Sequence, residues 1–141
     1  MSTGQRRLTE LTREQALRLL GSVPLGRIAF TQHALPAIRL VNHLLDRGDI
    51  IIRSHSGTAI VSAAAAAQGA VVAYEADAVD PNDHHGWSVI VTGTAHLVTD
   101  PGQVAHYQQA LTPWVTGDMD QVIRVRPGIV TGYRLDGEGP R

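Results

Sequence analysis

The chain has 141 residues, 43% of them hydrophobic, and a net charge of −1, the profile of one ordinary globular domain and not of a disordered chain. It has no cysteine and all twelve of its basic residues are arginine, which excludes disulfides, thiolate metal sites, cysteine nucleophiles and lysine Schiff bases. Arginines dispersed without a basic face argue against nucleic acid, and no stretch is apolar enough for a membrane span or signal peptide, so the expected residence is cytoplasmic.

Residues 1–10 and 137–141 read as flexible ends around one domain of residues 11–136. "LTREQALRLLGS" predicts a helix opened by a Thr12–Gln15 capping box, with Leu11 and Ala16 as the hydrophobic staple and Gly21 as its stop. "LGRIAFTQ" (25–32) alternates as a strand, a turn at His33 and Ala34 leads into "LPAIRLVNHLL" (35–45), and "DRGD" turns the chain into "IIIRS". A short helix follows over about 57–68, ended by Gly69, and "AVVAYEADAV" is a fourth strand. After the turn-rich "DPNDHHG" comes the longest strand, "GWSVIVTGTAHLVT" (86–99). Its inward face is Trp87, Val89, Val91, Gly93, Ala95 and Leu97, and Gly93 marks the coiling that closes a barrel. Asp100 and Pro101 then open a helix to about Leu111. "QVIRVRP" and "GIVTGYRL" are two closing strands. The absence of βαβ alternation favours a small antiparallel barrel over a doubly wound sheet.

The densest chemistry lies in "RSHSGT" (53–58), between a strand and a helix. Unpartnered backbone N–H groups at a helix start attract anions. Gly57 permits close approach, Ser54, Ser56 and Thr58 carry hydroxyls, and Arg53 offers a planar fork suited to phosphate. The competing reading is a helix N-cap beside an exposed arginine, and the stretch alone does not decide between the two.

Taken together, "LPAIRLVNHLLDRGDIIIRSHSGTAI", "GWSVIVTGTAHLV" and "RVRPGIVTGYRL" resemble the pyridoxamine 5'-phosphate oxidase-like flavin-binding split barrels, in particular their small actinobacterial branch. The likeness runs from about residue 12 to 135. It implies a mainly β (α+β) fold, a six-stranded antiparallel split β-barrel of Greek-key type with short peripheral helices. It also implies a homodimer with FMN in clefts between the subunits. By the same resemblance Val41, Asn42 and His43 border the isoalloxazine ring, while Arg53, Ser54, Ser56 and Thr58 hold the phosphate. Trp87 and Arg134, with Tyr133 nearby, reach the flavin of the other subunit. Two positions depart from the family pattern: Leu40 replaces a common proline and Thr58 a common lysine, which removes one charge from the phosphate end. The long C-terminal segment and basic substrate-phosphate residues of the vitamin-salvage oxidases have no counterpart here, so oxidation of pyridoxamine phosphate is not expected.

The seven histidines include no pair at helical i, i+4 spacing, and the adjacent His84 and His85 have no ligand geometry, so no metal site is expected. His43 and His55 lie near the expected cleft, each as a structural histidine or a proton donor. The glycines around Gly93 form no dinucleotide fingerprint, because no helix follows them. The leading expectation is an FMN-dependent oxidoreductase acting on a small organic acceptor. The alternatives are a reductase using the deazaflavin coenzyme, with Arg6, Arg7 and Arg13 forming a basic groove, and a non-catalytic carrier of flavin or haem.

Overall fold

The structure, a computed structural model, describes residues 7–114 and 118–136. Helix α1 (Arg13–Gly21) begins at the expected capping box. Thr12 Oγ1 accepts from the Gln15 amide at 3.1 Å, and Gln15 Oε1 accepts from the Thr12 amide at 2.9 Å. Strands β2 (Leu25–Gln32), β3 (Leu35–Asp46) and β4 (Asp49–Ser54) form the antiparallel meander. The turns between them place His33, Ala34 and Arg47 at positive φ. Helix α2 (Ala59–Ala64) is shorter than its sequence signal. Strands β5 (Ala70–Val79) and β6 (Gly86–Leu97) follow as a long antiparallel pair. Helix α3 (Pro101–Ala110) starts with Asp100 accepting from the Gln103 amide at 2.9 Å and proline in its first turn.

The two closing segments are one strand, β7 (Gln121–Asp136), which pairs with β4 on one side and β6 on the other. That double pairing closes a six-membered ring, β7-β4-β3-β2-β5-β6. A seventh strand, β1 (Arg7–Glu10), lies along the end of β7, with Leu8 opposite Leu135. Residues 7–10 are therefore ordered by backbone pairing, which their polar composition had not signalled. Residues 1–6 and 137–141 lie outside the described residues.

The core follows from strand alternation. Val89, Val91, Gly93 and Ala95 are buried on β6 while Ile90 and Thr92 face out. Ile28, Tyr74, Ile50, Ile52, Ile123 and Val125 fill the barrel with them. The run Ile50-Ile51-Ile52 is buried on both faces of β4, because Ile51 turns outward under α3 against Tyr107, Leu111 and Val122. Full burial of one such isoleucine contributes about 1.5–3 kcal/mol. Gly93 sits where the register between β6 and β7 shifts, and a Cβ there would lie 2.2 Å from the Arg126 carbonyl oxygen. Arg13 holds the same bulge by donating to the carbonyls of Gly128 at 2.9 Å and Pro127 at 3.1 Å. Among the described residues no helix is long and apolar enough to cross a membrane.

Candidate functional site

Strand β3 pairs with β2 along residues 35–42 but with β4 only from His43 to Asp46. The two neighbours therefore part at the His43–Ile52 pair, and a slot of about 350 Å³ opens between them. Arg39, Leu40 and Val41 form one wall, and Ile52 and Arg53 begin the other. Ile28 and Phe30 of β2 lie beneath, and Ser54, His55, Thr58, Ala59 and Ile60 close the slot at the start of α2.

The turn into α2 is held by a chain of hydroxyls. The Thr58 hydroxyl donates to the His55 carbonyl at 3.0 Å and lies 3.1 Å from the Ser54 hydroxyl, and Thr58 Oγ1 accepts from the Val61 amide at 3.4 Å. Thr58 is thus the N-cap of α2. Gly57, at φ +83°, takes the left-handed conformation that the turn requires, with open space where a Cβ would stand. The amides of Ala59 and Ile60, the first two of the helix, have no intrahelical partner.

Arg53 stands at the slot with two of its three guanidinium nitrogens committed elsewhere. Nε donates to the Met119 carbonyl at 2.6 Å, and Nη1 donates to those of Leu111 at 2.8 Å and Gln108 at 3.1 Å. Through Nε and Nη1 Arg53 ties the α3–β7 connection to β4, because backbone carbonyls turned inward need donors. His55 holds the same connection, its Nδ1–H donating to the Asp118 carbonyl at 3.1 Å. A carbonyl only accepts, so Nδ1 carries a proton.

His43 takes the structural of the two roles that the sequence left open. Its backbone is on β3, but the ring is buried in the barrel, with Nε2 2.8 Å from the Leu20 carbonyl and Nδ1 2.5 Å from the Tyr74 hydroxyl. Nε2 must donate to Leu20, so Nδ1 accepts from Tyr74. Burial lowers the His43 pKa, only partly offset by the Leu20 bond, and burial raises that of Tyr74. This neutral pair fastens α1 to the barrel and does not face the slot. Asn42 is also buried. Its amide donates to the Pro24 carbonyl at 3.3 Å and its oxygen accepts from the Trp114 amide at 2.7 Å. Ser56 is exposed and does not line the slot.

Trp87 and Arg134 face each other across β6 and β7, and neither lines the slot of its own chain. Arg13, expected in a basic groove, is spent on the β7 bulge. Arg6 and the Arg7 side chain lie outside the described residues. Sequence reading overlooked Arg39, whose guanidinium lies 5.8 Å from the Phe30 ring centre at the slot wall. The signal was present: a lone cation interrupts the apolar run "LPAIRLV".

Comparison with known proteins matches this architecture. An uncharacterized protein of Mycobacterium tuberculosis is 52% identical over 146 aligned positions, covering 96% of this chain and 95% of that one. A solved structure from Corynebacterium glutamicum, named for pyridoxamine 5'-phosphate oxidase, is 30% identical at a TM-score of 0.75, covering 94% of this chain and 96% of its own. An FAD binding protein from Mycobacterium smegmatis is 35% identical at a TM-score of 0.71, covering 89% and 98%. The family described as pyridoxamine 5'-phosphate oxidase matches residues 12–134. With the split barrel formed by strands from those same residues, this chain belongs to the pyridoxamine 5'-phosphate oxidase family.

Proposed function

We propose that the chain is an FMN-binding oxidoreductase that works as a homodimer and reduces a small organic acceptor. The observation that carries this reading is the slot between β3 and β4, an apolar cleft that ends in polar groups at the start of α2. Its volume falls at the low end of the roughly 300–1,000 Å³ typical of small-molecule sites. Family membership and the FAD-binding relative support a flavin as the occupant.

A bound flavin supplies the hydride or electron chemistry that no side chain here performs. The chain's own residues bind, orient and exclude water. Leu40, Val41, Ile28 and Ile52 give the ring apolar walls. The amides of Ala59 and Ile60, with Arg39 across the slot, meet an anionic phosphate. Ser54 and Thr58 act through the turn, since their hydroxyls already bond within it. In this reading Trp87 and Arg134 close the partner subunit's slot, which explains why they stand away from their own.

FAD is the second reading. The family's lysine is absent at Thr58 and two of the three Arg53 guanidinium nitrogens are occupied by carbonyls, so the phosphate end is poor in free cations. A ligand with further contacts would offset that.

Titration of the purified protein with FMN, FAD and riboflavin, followed by flavin fluorescence, tests the assignment. Ala59→Glu places a carboxylate at the phosphate end. It should weaken FMN at least about tenfold, a loss of about 1.4 kcal/mol, while changing riboflavin little. Equal affinities of wild type and variant for FMN contradict the placement. Tighter binding of FAD than of FMN by wild type selects the second reading.

A further inference from the structure

The outer face of β6 and β7 carries a cluster of basic side chains away from the slot. His96 stands opposite Arg124 and Thr94 opposite Arg126, while Ala95 and Val125 between them are buried in the barrel. Strand alternation therefore puts His96, Arg124 and Arg126 on one side of the sheet, with the two arginines about 7 Å apart along β7. They line a cavity of about 340 Å³ that residues 97–100 and the first turn of α3 close. None of these residues lines the slot.

The three differ in how they are held. Arg124 is fixed in place. Its Nη2 donates to the Tyr107 hydroxyl at 3.0 Å, that hydroxyl donates to Asp46 at 2.6 Å, and Nη1 lies 3.5 Å from Asp49. Those contacts use two of the five guanidinium donors. The Arg126 side chain is exposed and meets no carboxylate among the described residues, and the His96 ring has no hydrogen-bond partner among them. One carboxylate, Asp100, borders the cavity, and its Oδ2 already accepts from the Gln103 amide as the cap of α3. The start of that helix therefore adds no attraction of its own. What remains is one preorganised arginine, one uncommitted arginine and a histidine with free ring nitrogens, all facing the same space. Such a set suits an oxyanion.

We infer that this cavity binds the phosphate group of a small phosphate monoester, with Arg124 and Arg126 on its oxygens and its organic part against Leu97 and Val98. The cavity lies at the low end of the roughly 300–1,000 Å³ typical of small-molecule sites. One tetrahedral anion takes up only a few water volumes of about 30 Å³ each, so the space left over and the two half-buried aliphatic side chains call for an ester. The site owes nothing to the flavin reading and stands or falls without it.

The probe is n-butyl phosphate, titrated by isothermal calorimetry at low ionic strength, with orthophosphate as the second ligand. Saturable binding of the ester is expected, tighter than that of orthophosphate. Arg126→Gln should weaken the ester about tenfold or more, the scale of a lost hydrogen bond between charged groups. Arg18→Gln removes the same charge from α1, where Arg18 pairs with Glu14, and should change the affinity less than about twofold. Ala59→Glu, at the slot, should likewise leave it within about twofold. Arg126 and Arg18 are both exposed, and circular dichroism checks that the variants fold. Absence of saturable binding overturns the proposal. So does equal weakening by Arg126→Gln and Arg18→Gln, which reports net charge alone. A loss in Ala59→Glu as large as in Arg126→Gln overturns it as well, because the anion would then sit in the slot. Orthophosphate bound as tightly as the ester would leave Leu97 and Val98 without a role and contradict a monoester as the ligand.

Discussion

Arg53 shows what a single side chain's neighbours decide. Its sequence context, between an apolar strand and a glycine turn, reads equally as a phosphate fork or a structural cation. The three carbonyls it meets come from residues 108, 111 and 119, more than fifty positions away, so no local pattern displays them. Each is a bond to a charged donor, worth about 1.5–3 kcal/mol, and truncation strands the carbonyls. Arg53→Ala should therefore cost about 2–4 kcal/mol in urea denaturation. It should weaken FMN and riboflavin alike by loosening the slot wall. Selective loss of FMN would return Arg53 to the phosphate. His43 carries a second residue-scale prediction. Folding keeps the ring neutral and lowers its pKa from the ordinary 6.5, so below that value the unfolded chain binds a proton that the folded chain refuses. The stabilising effect of this difference is complete above about pH 6.5 and declines as the pH falls toward the lowered folded value. The urea midpoint should drop between pH 7.5 and 5.5 more steeply in wild type than in the His43→Leu, Tyr74→Phe double variant, which removes both partners together. Parallel pH profiles would contradict a buried neutral His43.

At the level of elements most of the chain was legible. The capping box of α1, the Asp100–Pro101 start of α3 and the alternation of β6 are local codes, and each appears where the sequence places it. Local codes failed where pairing partners decide. Residues 7–10 become a strand only because the end of β7 offers an edge, and the two closing segments are one strand because β6 pairs along both. Gly93 was legible as a site of coiling, though not the reason, which is the Arg126 carbonyl of the opposing strand. A Cβ at Gly93 meets main chain that cannot swing aside. Gly93→Ala should lie at the upper end of the about 1–3 kcal/mol usual for overpacking. Equilibrium urea unfolding checks this, and a loss below about 0.5 kcal/mol would mean the bulge tolerates a side chain.

At the scale of the whole molecule, a broad sheet face stays uncovered among the described residues. Across five strands the paired rows Leu40–Arg27–Glu75–Ile90 and Ile38–Ala29–Ala73–Thr92–Ile129 lie in register. Ile38, Leu40, Ile90 and Ile129 remain exposed around the Arg27–Glu75 ion pair of 2.9 Å. Contiguous apolar area of this kind is uncommon on a monomer, and it supports the proposed homodimer, in which Trp87 and Arg134 complete the neighbouring slot. The barrel was legible because it repeats simple alternation. The slot's ligands were less so, because Asn42, His43 and Arg53 all turn to distant backbone or core groups that only the closed barrel brings near. The most direct test of the account is size-exclusion chromatography with inline light scattering and absorbance on wild-type protein saturated with FMN. One peak of about twice the 15.1 kDa chain mass, carrying the two-band flavin spectrum at one flavin per chain, is the predicted result. Folded protein that elutes without flavin, or a monomer that retains it, would contradict a flavin site shared between two barrels.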